Sequence, residues 1–192
     1  MFDRKISRRY VALVWGEPSE KEGKAPLNPP EGGNIGDASL IPPLGSGGAE
    51  GTINVPIGRS KSDRKKMAAF PEGNYGKTAI THYKVLETFK YVSLVECKLE
   101  TGRTHQIRVH MKHIGHTVFG DIDYGGDKIL KSSTDAKYKA MVEKCFQICA
   151  RQALHAKYLS FEHPTSKKQM NFEIDLPDDM KQVIAIWKNY AK

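Results

Sequence analysis

The densest chemistry in this chain of 192 residues lies between Leu99 and His116, where two arginines, four histidines and a lysine share eighteen positions. Ile107, Met111 and Ile114 follow the i, i+4, i+7 spacing of an amphipathic helix, and Gly115 is a natural stop, so a helix is expected over residues 104–114. At about 100° per residue, with Ile107 at zero, Arg108 falls at about 100°, Lys112 at about 140° and His105 at about 160°. One flank beside the core-facing stripe therefore gathers Arg108, Lys112 and His105. A guanidinium held half-buried there is always charged and is suited to grip an anion. The same flank is also what the solvated edge of an ordinary amphipathic helix looks like. A metal site is not expected. His105 and His110 are five apart, His110 and His113 point about 60° from each other, and no nearby Cys or carboxylate completes a set.

The elements that must position this helix can be read on both sides of it. Residues 10–15 are a short apolar run expected to form a buried strand. Residues 78–86 and 91–99 read as two strands joined by a tight turn, with Tyr91, Val95, Cys97 and Leu99 on one face. Residues 136–150 form a second amphipathic helix, in which Cys145 and Cys149 are core residues rather than ligands. Leu159 and Phe161 mark a strand that turns at residues 163–166. Met170, Phe172, Ile174 and Leu176 alternate in the returning strand, and Asp178 caps a last helix buried through Met180, Val183, Ile184 and Trp187. Together these give an α+β fold, a mixed, mainly antiparallel sheet with flanking helices. No internal repeat of 20–50 residues is present.

Residues 17–56 differ in character. Seven of the ten prolines lie between Pro18 and Pro56, no hydrophobic period survives, and a Gly/Pro-rich loop insertion is expected there, within a single domain spanning 1–192. Thirty Lys and Arg against 22 Asp and Glu give a net charge of +8, which favours a polyanionic partner. No stretch approaches the roughly 20 apolar residues of a membrane span, so no membrane partner is expected. The start carries no apolar core of a secretory signal. The three cysteines, Cys97, Cys145 and Cys149, form no zinc-type pairs and suit a reducing cytoplasm.

The run from Thr101 to His110, Thr-Gly-Arg-Thr-His-Gln-Ile-Arg-Val-His, resembles the signature of the RluA-type RNA pseudouridine synthases nearly letter for letter. Matching blocks follow in the family's order: Arg8 to Gly16, Gly58-Arg59 with Lys66-Met67, Gly76 to Tyr83, Ile114 to His116, Gly120-Asp121 with Tyr124-Gly125, Arg151 to Ala156, and His163-Pro164. They span nearly the whole chain outside the insertion. The resemblance implies isomerisation of uridine to pseudouridine in structured RNA, with large-subunit ribosomal RNA as the target class and no metal or organic cofactor. The glycosidic C–N bond is broken, the uracil turned and rejoined through carbon, and the target nucleotide must leave its stack. It further implies that Arg108 pairs with the family's catalytic aspartate and that Tyr10 stacks on the target base. Arg103 and His105 would support the site or contact RNA. Lys112 joins them as an RNA-binding residue on the helix geometry alone.

The family carries that aspartate in an Arg-Leu-Asp segment some tens of residues before the block that here begins at Arg8. None of the aspartates of this chain sits in an Arg-x-Asp context. The expectation is therefore an N-terminally truncated catalytic domain, inactive alone, in which Arg108 faces a carboxylate that the polypeptide does not contain. An exposed sheet edge and apolar surface open to self-association are also expected. A non-catalytic RNA-binding module, or a fragment with no function of its own, is the alternative.

Overall fold

The computed structural model describes residues 6–19, 48–129 and 135–191. Eleven elements occur among them: β1 (Ser7–Trp15), β2 (Glu50–Asn54), β3 (Ile57–Arg59), β4 (Met67–Ala69), β5 (Ile80–Phe89), β6 (Val92–Leu99), α1 (Gln106–His113), α2 (Ala136–Ile148), β7 (Leu154–Glu162), β8 (Gln169–Glu173) and α3 (Asp178–Ala191). Six strands form one sheet in the order β2-β5-β6-β1-β7-β8, and β3 pairs with β4 in a small separate sheet. The described strand pairings are antiparallel.

The continuous apolar run of β1 reflects a sheet covered on both sides, since successive side chains point to opposite faces. Leu13 and Trp15 pack with Phe89, Val92, Phe119, Tyr138, Val142 and Trp187, beneath α2 and α3. Ala12 and Val14 pack with Val95, Cys97, Ile107 and Met111, beneath α1. Cys97, Cys145 and Cys149 are buried and free. Tyr91 does not share the face of Val95 and Cys97. It packs on the opposite cluster, edge-on to Tyr138 at 5.2 Å.

Two expectations about extent need correction. The stretch 17–56 ends in a strand, because β2 pairs with β5 from Glu50↔Lys84 to Asn54↔Ile80; Ile53 and Val55 are buried there, so two apolar residues suffice to anchor an edge strand. The part of the insertion between residues 20 and 47 lies outside the described residues. The helix expected over 104–114 begins at Gln106 instead, because His105 adopts a left-handed backbone, φ 56°.

The alternation of Met170, Phe172 and Ile174 finds no core. Leu159 pairs with Phe172, and Phe161 with Met170. Phe172 and Ile174 are about half exposed, and Leu159 is exposed as well. Leu159 also pairs with Arg8 on β1. Cross-strand partners share a face, so this apolar surface lies on the side of the sheet that α1 covers further along.

Candidate active site

Helix α1 is wedged between the main sheet and the β3–β4 hairpin. Ile107 and Met111 face the sheet, whereas Val109 packs with Ile57, Ala79 and Tyr124 on the other side. Gln106, buried ahead of them, ties the entry loop to β5. Its Oε1 accepts from the Arg103 N–H at 3.0 Å and the Thr101 hydroxyl at 2.8 Å, and its Nε2 donates to the Ile80 carbonyl at 2.9 Å. His110 is fully buried. Its Nε2–H donates to the Val55 carbonyl at 2.9 Å, and its Nδ1 lies 2.9 Å from the Thr81 hydroxyl. His116 is held by the Trp15 carbonyl at 2.8 Å. Among the described residues no three His, Cys, Asp or Glu side chains gather as metal ligands would.

Arg108 turns toward carboxylates of this chain. Its Nε and Nη2 donate to the two oxygens of Asp121 at 2.7 and 2.6 Å, and Nη2 also donates to Asp123 at 2.7 Å. The Asp121 side chain is wholly enclosed, whereas that of Asp123 is 51% exposed. Asp121 is fixed by a turn in which its backbone N–H reaches the Val118 carbonyl at 3.2 Å and its carbonyl accepts from Gly126 at 2.8 Å. The hydrogen bond that Arg108 donates to Asp121 raises its already high pKa further, against the opposing effect of burial, and the hydrogen bond it donates to Asp123 lowers that of the carboxyl. The guanidinium thus has carboxylate partners within this chain, besides the absent aspartate that the resemblance implies: the turn after Val118 places both oxygens of Asp121 against its fork. Nη1 is left without a hydrogen bond among the described residues.

Tyr124 joins the cationic flank. The Arg108 guanidinium lies 4.7 Å from the centre of its ring and the Lys112 ammonium 5.8 Å, both within cation–π range. His105, outside the helix, is brought in by the same residue, with Nδ1 2.9 Å from the Tyr124 hydroxyl, whose oxygen also accepts from the Met67 N–H at 3.1 Å. Burial, then the charge of Arg108, lowers the pKa of His105. A neutral His105 whose Nδ1 accepts a hydrogen bond from the phenol O–H satisfies both side chains.

Arg103 is exposed, and its Nε is spent on the Thr78 carbonyl at 3.0 Å. Tyr10, partly buried, packs against the cluster of Ile107 and Met111. No hydrogen bond or ring contact joins Tyr10 to Arg108 among the described residues. The structure therefore brings together Arg108, Lys112 and His105 around Tyr124, and no hydrogen bond, ion pair or ring contact among the described residues joins Tyr10 or Arg103 to them. Tyr124, Asp121 and Asp123 escaped the reading of roles from sequence; the available signal was two carboxylates and an aromatic within four positions, soon after a cationic helix. Beside this centre a cleft of about 510 Å³ opens between α1 and the β3–β4 loop.

The sequence pattern of the RNA pseudouridylate synthase family matches residues 1–113. An uncharacterized RNA pseudouridine synthase of Chlorobaculum parvum is 38% identical over 183 residues, 95% of this chain and 47% of that protein. The ribosomal large subunit pseudouridine synthase D of Zymomonas mobilis is 39% identical over 179 residues, 93% of this chain and 44% of that protein. The chain thus spans somewhat under half the length of these relatives. Among solved structures, human RNA pseudouridylate synthase domain containing 1 superposes with a TM-score of 0.56 at 27% identity, over 95% of this chain and 59% of that one. Human RNA pseudouridylate synthase domain containing 4, at 20% identity and a TM-score of 0.61 over 96% of this chain and 63% of that one, shares the fold.

Proposed function

The chain belongs to the RNA pseudouridylate synthase family, and we propose that it forms the RNA-gripping part of an isomerase that converts uridine to pseudouridine in ribosomal RNA. The observation that carries this reading is the Arg108 cluster, in which two carboxylates and a tyrosine ring fix the guanidinium while Nη1 stays available. A guanidinium so held stays charged and keeps any carboxylate that meets Nη1 ionised and fixed in rotamer. Breaking the glycosidic bond requires such a carboxylate, acting as nucleophile or base. No Arg-Leu-Asp segment occurs in the 192 residues, so turnover requires that group from outside them.

Arg103, His105 and Lys112 contact the RNA in this reading, and Tyr10 offers a ring on which a displaced base stacks, worth ~1–3 kcal/mol. The cytoplasm is the proposed compartment, supported by three buried unpaired cysteines; no helix among the described residues is long and apolar enough to cross a membrane. The apolar surface of Leu159, Phe172 and Ile174 supports self-association through the β7–β8 end of the sheet.

Tritium release from uridine-labelled ribosomal RNA tests the proposal. The chain alone releases none above background. With a polypeptide carrying the family's Arg-Leu-Asp segment added, it releases tritium, and R108A abolishes that release. Turnover by the chain alone contradicts the requirement for an outside carboxylate. RNA binding that persists with no release under either condition identifies a non-catalytic RNA-binding chain instead.

A further inference from the structure

Strand β8 closes one end of the main sheet, with β7 on one side and no strand on the other among the described residues. The hydrogen bonds at its two ends fix which backbone groups face outward. Ile174 N–H donates to the Lys157 carbonyl at 3.1 Å, and the Lys168 carbonyl accepts from His163 N–H at 2.9 Å. Backbone groups alternate in direction along an antiparallel strand, so Lys168, Met170, Phe172 and Ile174 turn theirs toward β7. Those of Gln169, Asn171 and Glu173 point away from the sheet. All three residues are exposed, and an open row of N–H and C=O groups is a template for a further strand.

The side chains select the strand that fits. Met170, Phe172 and Ile174 share a face with Leu159 and Phe161. Lys167 and Lys168 precede β8, whereas Glu173 and Asp175 lie at its far end. A parallel second copy would set lysines beside lysines and carboxylates beside carboxylates. An antiparallel copy brings the basic end of each strand to the acidic end of the other. With Asn171 at the centre the register is self-complementary. Gln169 then meets Glu173 of the second copy, Asn171 meets Asn171, and Met170 meets Phe172. The outward-facing residues form the hydrogen-bonded pairs, and Met170 with Phe172 forms the closer, non-hydrogen-bonded pairs on the apolar face. The other end of the sheet lacks this character. Ile53 of β2 is already buried, and Pro56, which has no N–H to give, follows shortly after.

We infer that two copies of the chain join through β8, antiparallel about Asn171, into one continuous sheet with a two-fold axis perpendicular to it. Both α1 helices, and with them both Arg108 centres, then lie on the same face. This pairing deepens the self-association put forward for the β7–β8 end and rests on it.

Sedimentation of the full chain measures mass against concentration, and cysteine cross-linking reads the register. The Cα atoms of a hydrogen-bonded antiparallel pair lie about 5.5 Å apart, within the range of about 4.4–6.8 Å that a disulfide spans, and the native cysteines are buried. Under mild oxidation N171C is expected to form a disulfide-linked dimer, as is a mixture of Q169C and E173C. Q169C alone, with its two sites about 14 Å apart, is not. E173P removes an outward N–H at an edge position that tolerates proline and is expected to weaken the dimer about tenfold or more. A wild-type dimer that neither cross-links in N171C nor weakens in E173P overturns the β8 pairing and leaves self-association standing. A wild-type chain that is monomeric at every concentration overturns both. N171C gives up the hydrogen bonds that Asn171 Oδ1 accepts from Tyr158 and Ser160, so a second measurement uses the wild-type chain. Amide exchange at Asn171 and Glu173 must slow as the concentration rises, and exchange that ignores concentration overturns the pairing.

Discussion

Arg108 holds two carboxylates that look equivalent by distance, at 2.6 and 2.7 Å, but differ in what their loss would cost. Asp121 is enclosed, and removing its partner leaves a charge without solvent, a defect of about 3–5 kcal/mol. R108A is accordingly expected to lower the urea-derived stability by that amount. D123A removes a carboxylate that is 51% exposed and should cost less than about 1 kcal/mol. Equal losses in the two variants would contradict the burial argument. The direction of the Arg108 side chain was legible in the sequence, because helical spacing sets it. Its partners were not. Asp121 and Asp123 come to it through a turn closed by Gly126 and Val118, and no periodicity encodes the path of a turn. For Tyr10 and Arg103 the family pattern supplied a role that their local contacts do not express.

Helix α1 illustrates how an element can be anticipated and still misjudged in its surroundings. One apolar stripe is visible in the spacing of Ile107, Met111 and Ile114, yet Val109 is buried as well, against the β3–β4 hairpin. A wheel drawn for one buried face cannot show that a second sheet covers the other. The start of the helix was misplaced because His105 is left-handed there, a conformation uncommon for a residue with a Cβ. His110 staples the helix to both β5 and the segment after β2, and burial pushes its pKa down to about 4, from an unfolded value near 6.5. The folded state therefore resists protonating it. The resulting stability is fully present above about pH 6.5 and is lost as the pH falls toward about 4, a total of about 3 kcal/mol. Unfolding free energies of the wild-type chain measured between pH 7.5 and 4 should fall in this window, and those of H110N should fall by less. Parallel pH profiles would remove His110 from the explanation.

At the scale of the whole molecule the sheet is unevenly covered. Its middle strands lie between α1 on one side and α2 with α3 on the other, whereas the β7–β8 end presents Leu159, Phe172 and Ile174 to solvent. Strands β1, β5, β6, β7 and β8 were legible, since alternation and turn residues encode them locally, whereas the short β2, β3 and β4 carry too few apolar residues to show a period. Strand order was not, because the placement of β7 beside β1 depends on contacts about 150 residues apart in sequence. The uncovered face leads to an expected concentration-dependent rise in mass by light scattering, suppressed in F172S/I174S. A wild-type chain that stays monomeric at every concentration would remove self-association from the account.

Cys97 sits on a central strand with no surface of its own, and burial, with the nearby Glu96 charge adding to it, pushes its thiol up to about 12. Cys145 is raised to about 12, again mainly by burial, and Cys149 is raised too. Because only a thiolate attacks an alkylating agent, the folded chain offers such reagents no competent sulfur at neutral pH. The pace at which a maleimide consumes the three cysteines therefore records how often the sheet and its helices come apart.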